Sequence, residues 1–352
     1  MKTRPSKIFR EKNLGAAPGS CFPFYVTHGQ LKIGLDGGGT KTELILVDAA
    51  GTVVARHSAP GCNPSQIGPD EASRVVSTAL AELVAKSKIE NLRPAAAGTN
   101  TGPAAAGNGA KSKIATTHLY TAGSSIFWQD FAATLRDYGA VLTGPDSLPV
   151  LELATGGAPG LVLHAGTGSF VAARAPDGSI HYAGGLGWKF GDPGSGSDLG
   201  RRAIGHALLE LQGWARPTAL GDALKAHTGL ADAVANTRFF YTAEDANARI
   251  AGFAPRVLEL ADAGCAPAQT AVACTVTDLV EYARLVTAKL FGPAVVPCGV
   301  SGAILNSPPA AYALKALAAT HAWPVDYRFI TEAPIEGVRR LLVAGRTGPV
   351  SG

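Results

Sequence analysis

Short apolar runs separated by a glycine-rich turn predict a β-hairpin near residue 32. The first run is Lys32–Leu35 and the second is Leu44–Val47, and Asp36, three glycines and a Thr-Lys-Thr segment lie between them. Runs of this length that are bounded by turn residues are typical of strands. A second turn leads to another predicted strand, Thr52–Arg56, so the pattern predicts three consecutive strands.

Longer segments with apolar residues at helical spacing follow, and they alternate with further strands. The predicted helices are Asp70–Val84, Phe127–Asp137, Leu148–Leu153, Ser197 or Asp198 to about Leu211, Thr218–Thr228, Ala251–Ala263, Ala268–Leu290 and Ile335–Ala344. The predicted strands are Ile114–Tyr120, Ala140–Thr143, Leu161–Leu163, Phe170–Arg174, Ala294–Pro297 and Val325–Ile330. This order of elements indicates an α/β protein.

The plan of the first hairpin recurs within Gly160–Gly185. An apolar strand enters the glycine turn Ala165–Ser169, a second strand follows, and an Asp-Gly turn leads to a third strand. A unit that recurs once at a long interval predicts duplicated domains, and 352 residues exceed what one core usually supports. Chance similarity between two plain hairpins is the alternative, and the shared Gly-Thr turn favours duplication.

The domain prediction follows from this repeat. Residues 1–30 are predicted to be a poorly ordered extension, 31–150 an N-terminal domain and 151–352 a C-terminal domain. A low-complexity segment at about 91–110, rich in Ala, Gly and Pro, is predicted to be a surface loop or insertion in the first domain.

Composition narrows the class of protein. The net charge is +4 and no dense Lys/Arg block follows the first dozen residues, so no nucleic-acid partner is expected. No apolar run is long enough to span a membrane. The five cysteines form no CxxC pair, which favours isolated thiols in a reducing cytosol and hence a cytoplasmic protein. The sequence leaves a homodimer open.

The first glycine turn is a candidate phosphate site. Backbone N–H groups of Gly37–Gly39, the hydroxyls of Thr40 and Thr42 and the charge of Lys41 could together bind phosphate oxygens. Asp36, at the end of the strand, could hold Mg²⁺ through water. A glycine-rich hairpin without a ligand is the alternative. Two turns of this kind that face each other across a cleft would bind a triphosphate from both sides.

Three later positions offer further chemistry. Asp192 lies in a glycine-rich loop and could bind a substrate hydroxyl or a hydrated metal, or only form an Asx turn. Asp146 follows a predicted strand, where open α/β sheets place their ligands, but it could also be the N-cap of the next helix. Cys298–Gly302 could form an adenine or ribose site, or a plain βα turn.

Several motifs carry a resemblance to actin-like sugar kinases and ATPases. DGGGTKTE at Asp36–Glu43, GTGS at Gly166–Ser169 and GDPGSG at Gly191–Gly196 are the most specific. RIAGF at Arg249–Phe253, predicted to precede a helix, and the CGVSG segment add to them. Within that superfamily the chain resembles the BadF/BadG/BcrA/BcrD ATPase family, in its branch of N-acetylglucosamine kinase-like proteins.

The resemblance implies a fold and an activity. The fold would be two ribonuclease H-like domains of the actin-like ATPase type with a cleft between them, and the terminal helix could pack back on the first domain. The activity would be transfer of phosphate from ATP, with Mg²⁺, to a hydroxyl of a small-molecule sugar or amino sugar. Asp146 would accept the proton of that hydroxyl, and Thr40 and Thr167 would contact the ATP phosphates.

The matched positions also define the remaining site residues. The nucleotide-binding residues would be Gly37, Gly38, Gly39, Thr40, Lys41, Gly166, Thr167, Gly168, Ser169, Gly252, Gly299 and Gly302. The substrate-binding residues would be Asn63, Gly187 and Asp192, and the metal-binding residue would be Asp36.

Two departures from the family pattern lie where the sugar would bind. Pro193 replaces a glutamate, and Leu186 replaces a tryptophan. The positions of the cysteines do not match the pattern of the family's other branch, whose members activate CoA-ester dehydratases through an iron–sulfur cluster. The favoured interpretation is therefore a sugar kinase, and the alternatives are an ATP-binding sugar sensor and an ATPase coupled to a partner.

Overall fold

Two five-stranded sheets organise the computed structural model, which describes residues 30–87, 114–242 and 245–345. The predicted extension over 1–30, except residue 30, and the predicted insertion at about 91–110 lie outside the described residues. Among the described residues, no helix has the length and apolar character needed to cross a membrane.

The first sheet contains the predicted hairpin. Its strands are β1 (Leu31–Gly37), β2 (Lys41–Val47), β3 (Val53–Pro60), β4 (Ile114–Thr121) and β5 (Ala140–Pro145). The order is β3-β2-β1-β4-β5, in which β1, β4 and β5 are parallel and the hairpin partners are antiparallel. The carboxyl ends of β1, β4 and β5 therefore meet at one edge of the sheet.

The second sheet repeats this arrangement strand for strand. Its strands are β6 (Gly160–Ala165), β7 (Ser169–Arg174), β8 (Ile180–Gly184), β9 (Val296–Ser301) and β10 (Val325–Phe329). The order is β10-β9-β6-β7-β8, with β6, β9 and β10 parallel. The two-domain α/β fold is thus confirmed.

The helices cover both faces of the sheets. They are α1 (Pro64–Ile67), α2 (Pro69–Lys86), α3 (Ser125–Thr134), α4 (Ser147–Thr155), α5 (Gly196–Leu211), α6 (Ala219–Thr228), α7 (Ala233–Tyr241), α8 (Ala246–Asp262), α9 (Ala266–Phe291), α10 (Pro308–Thr320) and α11 (Pro334–Ala344). Helix α2 illustrates why they form: proline occupies its first turn, and its apolar residues recur at helical spacing on the face that is buried.

Two predictions of local structure are wrong, and some helices are not predicted from the sequence. The strand predicted to end at Pro297 continues through Cys298 and Gly299 to Ser301. The RIAGF segment lies inside α8 rather than before a helix, because α8 begins at Ala246. The sequence pattern does not predict helices α1, α7 and α10.

Helices α4 and α11 form a layer between the two sheets. Their apolar residues share one buried cluster with Ile45 and Val47 of the first sheet and with Val162 and Ala172 of the second. This layer fixes α4, and hence the residues at its N-terminus, between the two domains.

Helix α11 approaches β1 very closely. A Cβ atom on Gly34 would lie 2.3 Å from Cγ1 of Val338 and 2.8 Å from Cδ1 of Leu342. The Lys32 ammonium donates to the carbonyl oxygen of Leu342 at 2.7 Å, and Arg56 pairs with Glu336 at 2.7 Å. The last helix therefore packs on the sheet built from the first strands.

Gly34→Ala is expected to lower the free energy of unfolding by about 1–3 kcal/mol, because the added methyl group overpacks this contact. Urea unfolding at equilibrium measures the change. Adding Val338→Ala should recover part of the loss, since it removes the nearer of the two atoms that the new Cβ would meet. Wild-type stability in Gly34→Ala would contradict the close approach of α11.

Candidate active site

The first glycine turn is held by backbone hydrogen bonds from a neighbouring segment. The Gly38 N–H donates to the carbonyl oxygen of Lys41 at 2.9 Å, and the Cys62 N–H donates to the carbonyl oxygen of Gly38 at 3.0 Å. Gly61 packs directly on the turn, because a Cβ there would lie 2.1 Å from the carbonyl oxygen of Gly39. Contacts with Gly61 and Cys62 therefore hold the turn in its conformation.

The glycines of this turn differ in what surrounds them. A Cβ on Gly37 would meet Cys62, and one on Gly39 would meet Gln66. Among the described residues, a Cβ on Gly38 would have only the Lys41 carbonyl oxygen within 4 Å, at 3.6 Å. None of the three has a positive φ, so close approach and open space, not backbone conformation, distinguish them. The predicted role of the Thr42 hydroxyl is wrong, because this buried group donates to the carbonyl oxygen of Pro60 at 2.8 Å.

The second turn is joined to the N-terminus of α5. The Gly166 N–H donates to the carbonyl oxygen of Gly168 at 2.9 Å, and the Gly196 N–H donates to that of Gly166 at 2.7 Å. Thr167 is exposed at the tip of the turn. Ser169 is buried and its hydroxyl donates to the carbonyl oxygen of Pro193 at 2.6 Å, so this side chain supports the loop rather than facing a ligand.

Two carboxylates meet at the carboxyl ends of the parallel strands of the first sheet. Asp36 is the penultimate residue of β1, and Asp146 directly follows β5. Burial raises the pKa of Asp36 to about 7, and the charges of Asp146 and Glu43 raise it further against the opposing effect of Lys41. Burial also raises the pKa of Asp146 to about 6, with Asp192 acting in the same direction and the N–H groups of Ser147 and Asp146 opposing it.

Asp146 occupies the N-cap position of α4 but makes no capping hydrogen bond with its side chain. Its backbone is helical, with φ −60° and ψ −18°. Although α4 follows β5 of the first sheet, it is tied to the second: Glu152 lies 3.8 Å from Arg174, and Arg328 donates to the carbonyl oxygen of Leu153. The carboxylate therefore lies where the two domains join.

Asp192 connects the glycine-rich loop to the second turn. Its Oδ1 accepts a hydrogen bond from the Gly187 N–H at 3.0 Å, and its Oδ2 lies 3.0 Å from where a Cβ of Gly168 would be. Burial raises its pKa. Because its charge also acts on Asp146, the two carboxylates belong to one cluster.

Asn63 lies at the edge of the first sheet where the parallel strands end, because its Oδ1 would be 2.8 Å from a Cβ on Gly123, just after β4. Its Oδ1 accepts from the Ser65 N–H at 3.0 Å and caps α1. The preceding residue, Cys62, has its pKa raised by burial and by the charges of Asp36 and Asp146. Asn63 therefore lies at the same edge of the sheet as Asp36 and Asp146, and no described residue accepts a hydrogen bond from its amide nitrogen.

The three glycines predicted to border the nucleoside lie in different surroundings. Gly302 has φ +94° and packs on Ala165, directly before the second turn. Gly252 is exposed within α8, which packs against α5. Gly299 lies within β9, where a Cβ would be 2.5 Å from that of Ala154. Its surroundings are thus those of a packing position between β9 and α4, not those of a turn.

Some residues of the site were not singled out from the sequence. Glu43 is opposite Asp36 in the β1–β2 ladder and pairs with Lys41 at 2.8 Å. The alternation of side chains along β2 could have indicated that Lys41 and Glu43 share a face. Gly61 carries no such signal, because its contact depends on the tertiary fold.

Two similar sheets, a glycine turn from each and a carboxylate cluster between them define the actin-like ATPase fold. The profile of the BadF/BadG/BcrA/BcrD ATPase family matches residues 33–294, and the chain belongs to this family.

Individual proteins show the same likeness at lower identity. The structure of a candidate N-acetylglucosamine kinase from Chromobacterium violaceum is similar with a TM-score of 0.69 and 24% identity, over 90% of this chain and 99% of that one. A ROK family glucokinase from Streptomyces griseus, solved with glucose and AMPPNP, has a TM-score of 0.53 and 12% identity, over 88% and 97%. Both similarities concern the fold.

One curated enzyme shares a short segment with the chain. N-acetyl-D-glucosamine kinase of Dictyostelium discoideum is 37% identical over 59 residues, which are 17% of this chain and 18% of that enzyme.

Proposed function

We propose that the protein is an ATP-dependent kinase that phosphorylates a hydroxyl of a sugar or amino sugar. One observation carries the proposal: Asp146 begins the helix that joins the two domains, and its charge interacts with Asp36 beside the first glycine turn and with Asp192 beside the second. Phosphoryl transfer needs positioned phosphates and a carboxylate that accepts the hydroxyl proton. Family membership and the names of the similar kinases support the same activity.

The phosphates would bind between the turns. Exposed Thr40 and Thr167, at the tips, would contact them together with backbone N–H groups, and the Lys41 ammonium would contribute positive charge. Gly252 and Gly302 would border the nucleoside. Gly299 would contribute indirectly, by setting the position of β9 against α4.

Magnesium fits this donor set. Mg²⁺ prefers oxygen ligands and commonly uses one or two carboxylates, with phosphates and water completing its shell. Asp36 supplies a carboxylate beside the first turn, and among the described residues no three His, Cys, Asp or Glu side chains lie close enough to hold a metal by themselves. When bound, the ion would neutralise part of the phosphate charge.

The sugar would lie between Asn63 and Asp192, with its reacting hydroxyl at Asp146. The Asp146 carboxylate, when ionised, would take the hydroxyl proton as the oxygen attacks the phosphate. The Gly187 N–H holds Asp192 in place at 3.0 Å. A location in the cytoplasm fits the free thiols among the described cysteines, and the homodimer is tested by the mass of the protein in solution.

ADP release in the presence and absence of single hexoses and amino sugars tests the proposal. Release that depends on one of these sugars, with a phosphorylated sugar detected by mass spectrometry, is the expected result. Release without any sugar would instead identify a coupled ATPase. Nucleotide and sugar binding without turnover would identify a sensor, which the replacement at Pro193 favours.

Asn63→Ser is expected to raise the sugar KM by about tenfold or more while the ATP KM changes little. Serine keeps an oxygen that can cap α1, but it removes the amide nitrogen that would donate to a sugar hydroxyl. Steady-state kinetics with each substrate varied in turn measures both constants. An equal rise in both would show that Asn63 only maintains its loop.

A further inference from the structure

Glu43 and Lys41 form an ion pair at the base of the first glycine turn. Their charged atoms are 2.8 Å apart, and the two residues are separated by one position on β2, so they share a face. The Glu43 side chain is 25% exposed, whereas that of Lys41 is 58% exposed. The pair is therefore at the surface of the cleft, where a ligand can reach it.

Glu43 also adds to a concentration of negative charge. It lies directly opposite Asp36 in the β1–β2 ladder, where the Cβ atoms of opposite residues are about 5 Å apart. The charge of Asp146 acts on Asp36, and that of Asp192 acts on Asp146, so these three carboxylates and Glu43 form one cluster. Among the described residues, Lys41 is the one cation whose charge affects the pKa of any of Asp36, Asp146 and Asp192.

The excess of negative charge in this cluster disfavours the binding of a polyphosphate that carries no metal ion. Like charges repel most strongly where water is partly excluded, and Lys41 is already paired with Glu43. A nucleotide that arrives with a divalent cation brings much less negative charge to the cluster, and the carboxylates then attract the cation instead of only repelling the phosphates.

We propose that Glu43 is a specificity-determining residue that makes the site select the metal complex of the nucleotide over the free nucleotide. The inference rests on the proposed nucleotide-binding function. Glu43 acts in two ways: it adds one negative charge beside Asp36, and it holds the Lys41 ammonium that would otherwise pair with a phosphate.

Titration calorimetry with ADP, in excess Mg²⁺ and in excess chelator, tests the proposal on the full chain. For the wild-type protein, the metal complex should bind more tightly than free ADP. Glu43→Gln should strengthen the binding of free ADP and leave the metal complex within a few-fold, so that the ratio of the two dissociation constants falls by about tenfold.

Two further variants make the result specific. Glu259→Gln removes one carboxylate charge from an exposed ion pair with Arg256 on α8, and it should leave the ratio unchanged. Lys41→Met should weaken the binding of free ADP, and in that background Glu43→Gln should have a smaller effect, because the released ammonium is no longer present. Thermal unfolding of each variant confirms that it is folded.

The outcomes distinguish a failure of the role of Glu43 from a failure of the proposed nucleotide-binding function. If wild-type protein binds the metal complex but Glu43→Gln leaves the ratio within twofold, the role of Glu43 is wrong and the nucleotide site stands. If Glu43→Gln weakens the metal complex more than free ADP, Glu43 helps to hold the ion and the proposal fails. If wild-type protein binds neither form, the proposed function fails as well.

Discussion

Asp146→Asn is expected to lower kcat by about a hundred- to ten-thousand-fold, the usual contribution of a general base, while nucleotide and sugar affinities stay close to those of the wild type. Asparagine has nearly the same shape and caps a helix about as well as aspartate, but it cannot take the proton. Single-turnover phosphorylation together with binding by calorimetry measures both quantities.

The pH dependence provides an independent check of Asp146. A base must be ionised, so kcat/KM of the wild type should fall as the pH drops through the pKa of Asp146, about 6, and Asp36, with a pKa of about 7, should contribute to the same acid limb. Asp146→Asn should remove the part of the limb that belongs to Asp146. An unchanged profile with a few-fold loss of activity would contradict the assignment.

The stability of Asp146→Asn distinguishes a general base from a residue that only caps α4. The pKa of Asp146 is higher in the folded protein than its ordinary value, so this carboxyl contributes stability at low pH that is lost as the pH rises through about 6. Asp146→Asn should therefore be at least as stable as the wild type at neutral pH. A marked loss of stability would favour a structural role instead.

Gly166→Val is expected to weaken nucleotide binding by about ten- to a hundredfold, because the side chain would fill the space in front of the second turn where phosphate would bind. Gly166 has no positive φ, and the one atom close to an added Cβ is Nε2 of His164, at 3.5 Å. The variant should therefore fold normally. Gly38→Val tests the first turn in the same way, and calorimetry with the Mg²⁺ complex of ADP measures both.

Gly205→Val is the matched control for these glycine variants. It lies in α5, its φ is not positive, and apart from the backbone of α5 no atom of the described residues comes within 4 Å of an added Cβ. Nucleotide affinity should not change in this variant. Wild-type affinity in both Gly38→Val and Gly166→Val would show that the turns do not bind phosphate.

Much of the fold could be predicted from local pattern alone. The first hairpin and its repeat are visible because apolar runs and glycine turns succeed one another within a few residues, and α2 because its apolar residues recur at helical spacing. Gly299 shows the limit of this reasoning. A glycine in a sequence indicates a turn as readily as a close helix–strand contact, and only the position of Ala154 decides between them.

The candidate site could be predicted in part. Asp36 and Asp146 could be identified because each lies at the carboxyl end of a predicted strand, and parallel strands end at one edge of a sheet. The contact between Asp192 and the Gly187 N–H, and the support of the first turn by Gly61, depend on segments that meet only in the folded chain. The roles of these residues in binding and catalysis stay predictions.

The packing of α11 on β1 determines when the protein can finish folding. Domains generally fold from the N-terminus as the ribosome produces the chain. Here Ile45 and Val47 share a buried cluster with Val338 and Leu342, so the part of the first sheet that α11 covers stays exposed until almost three hundred further residues have been synthesised. During that interval the nascent chain exposes an apolar surface, which is the kind of segment that chaperones bind.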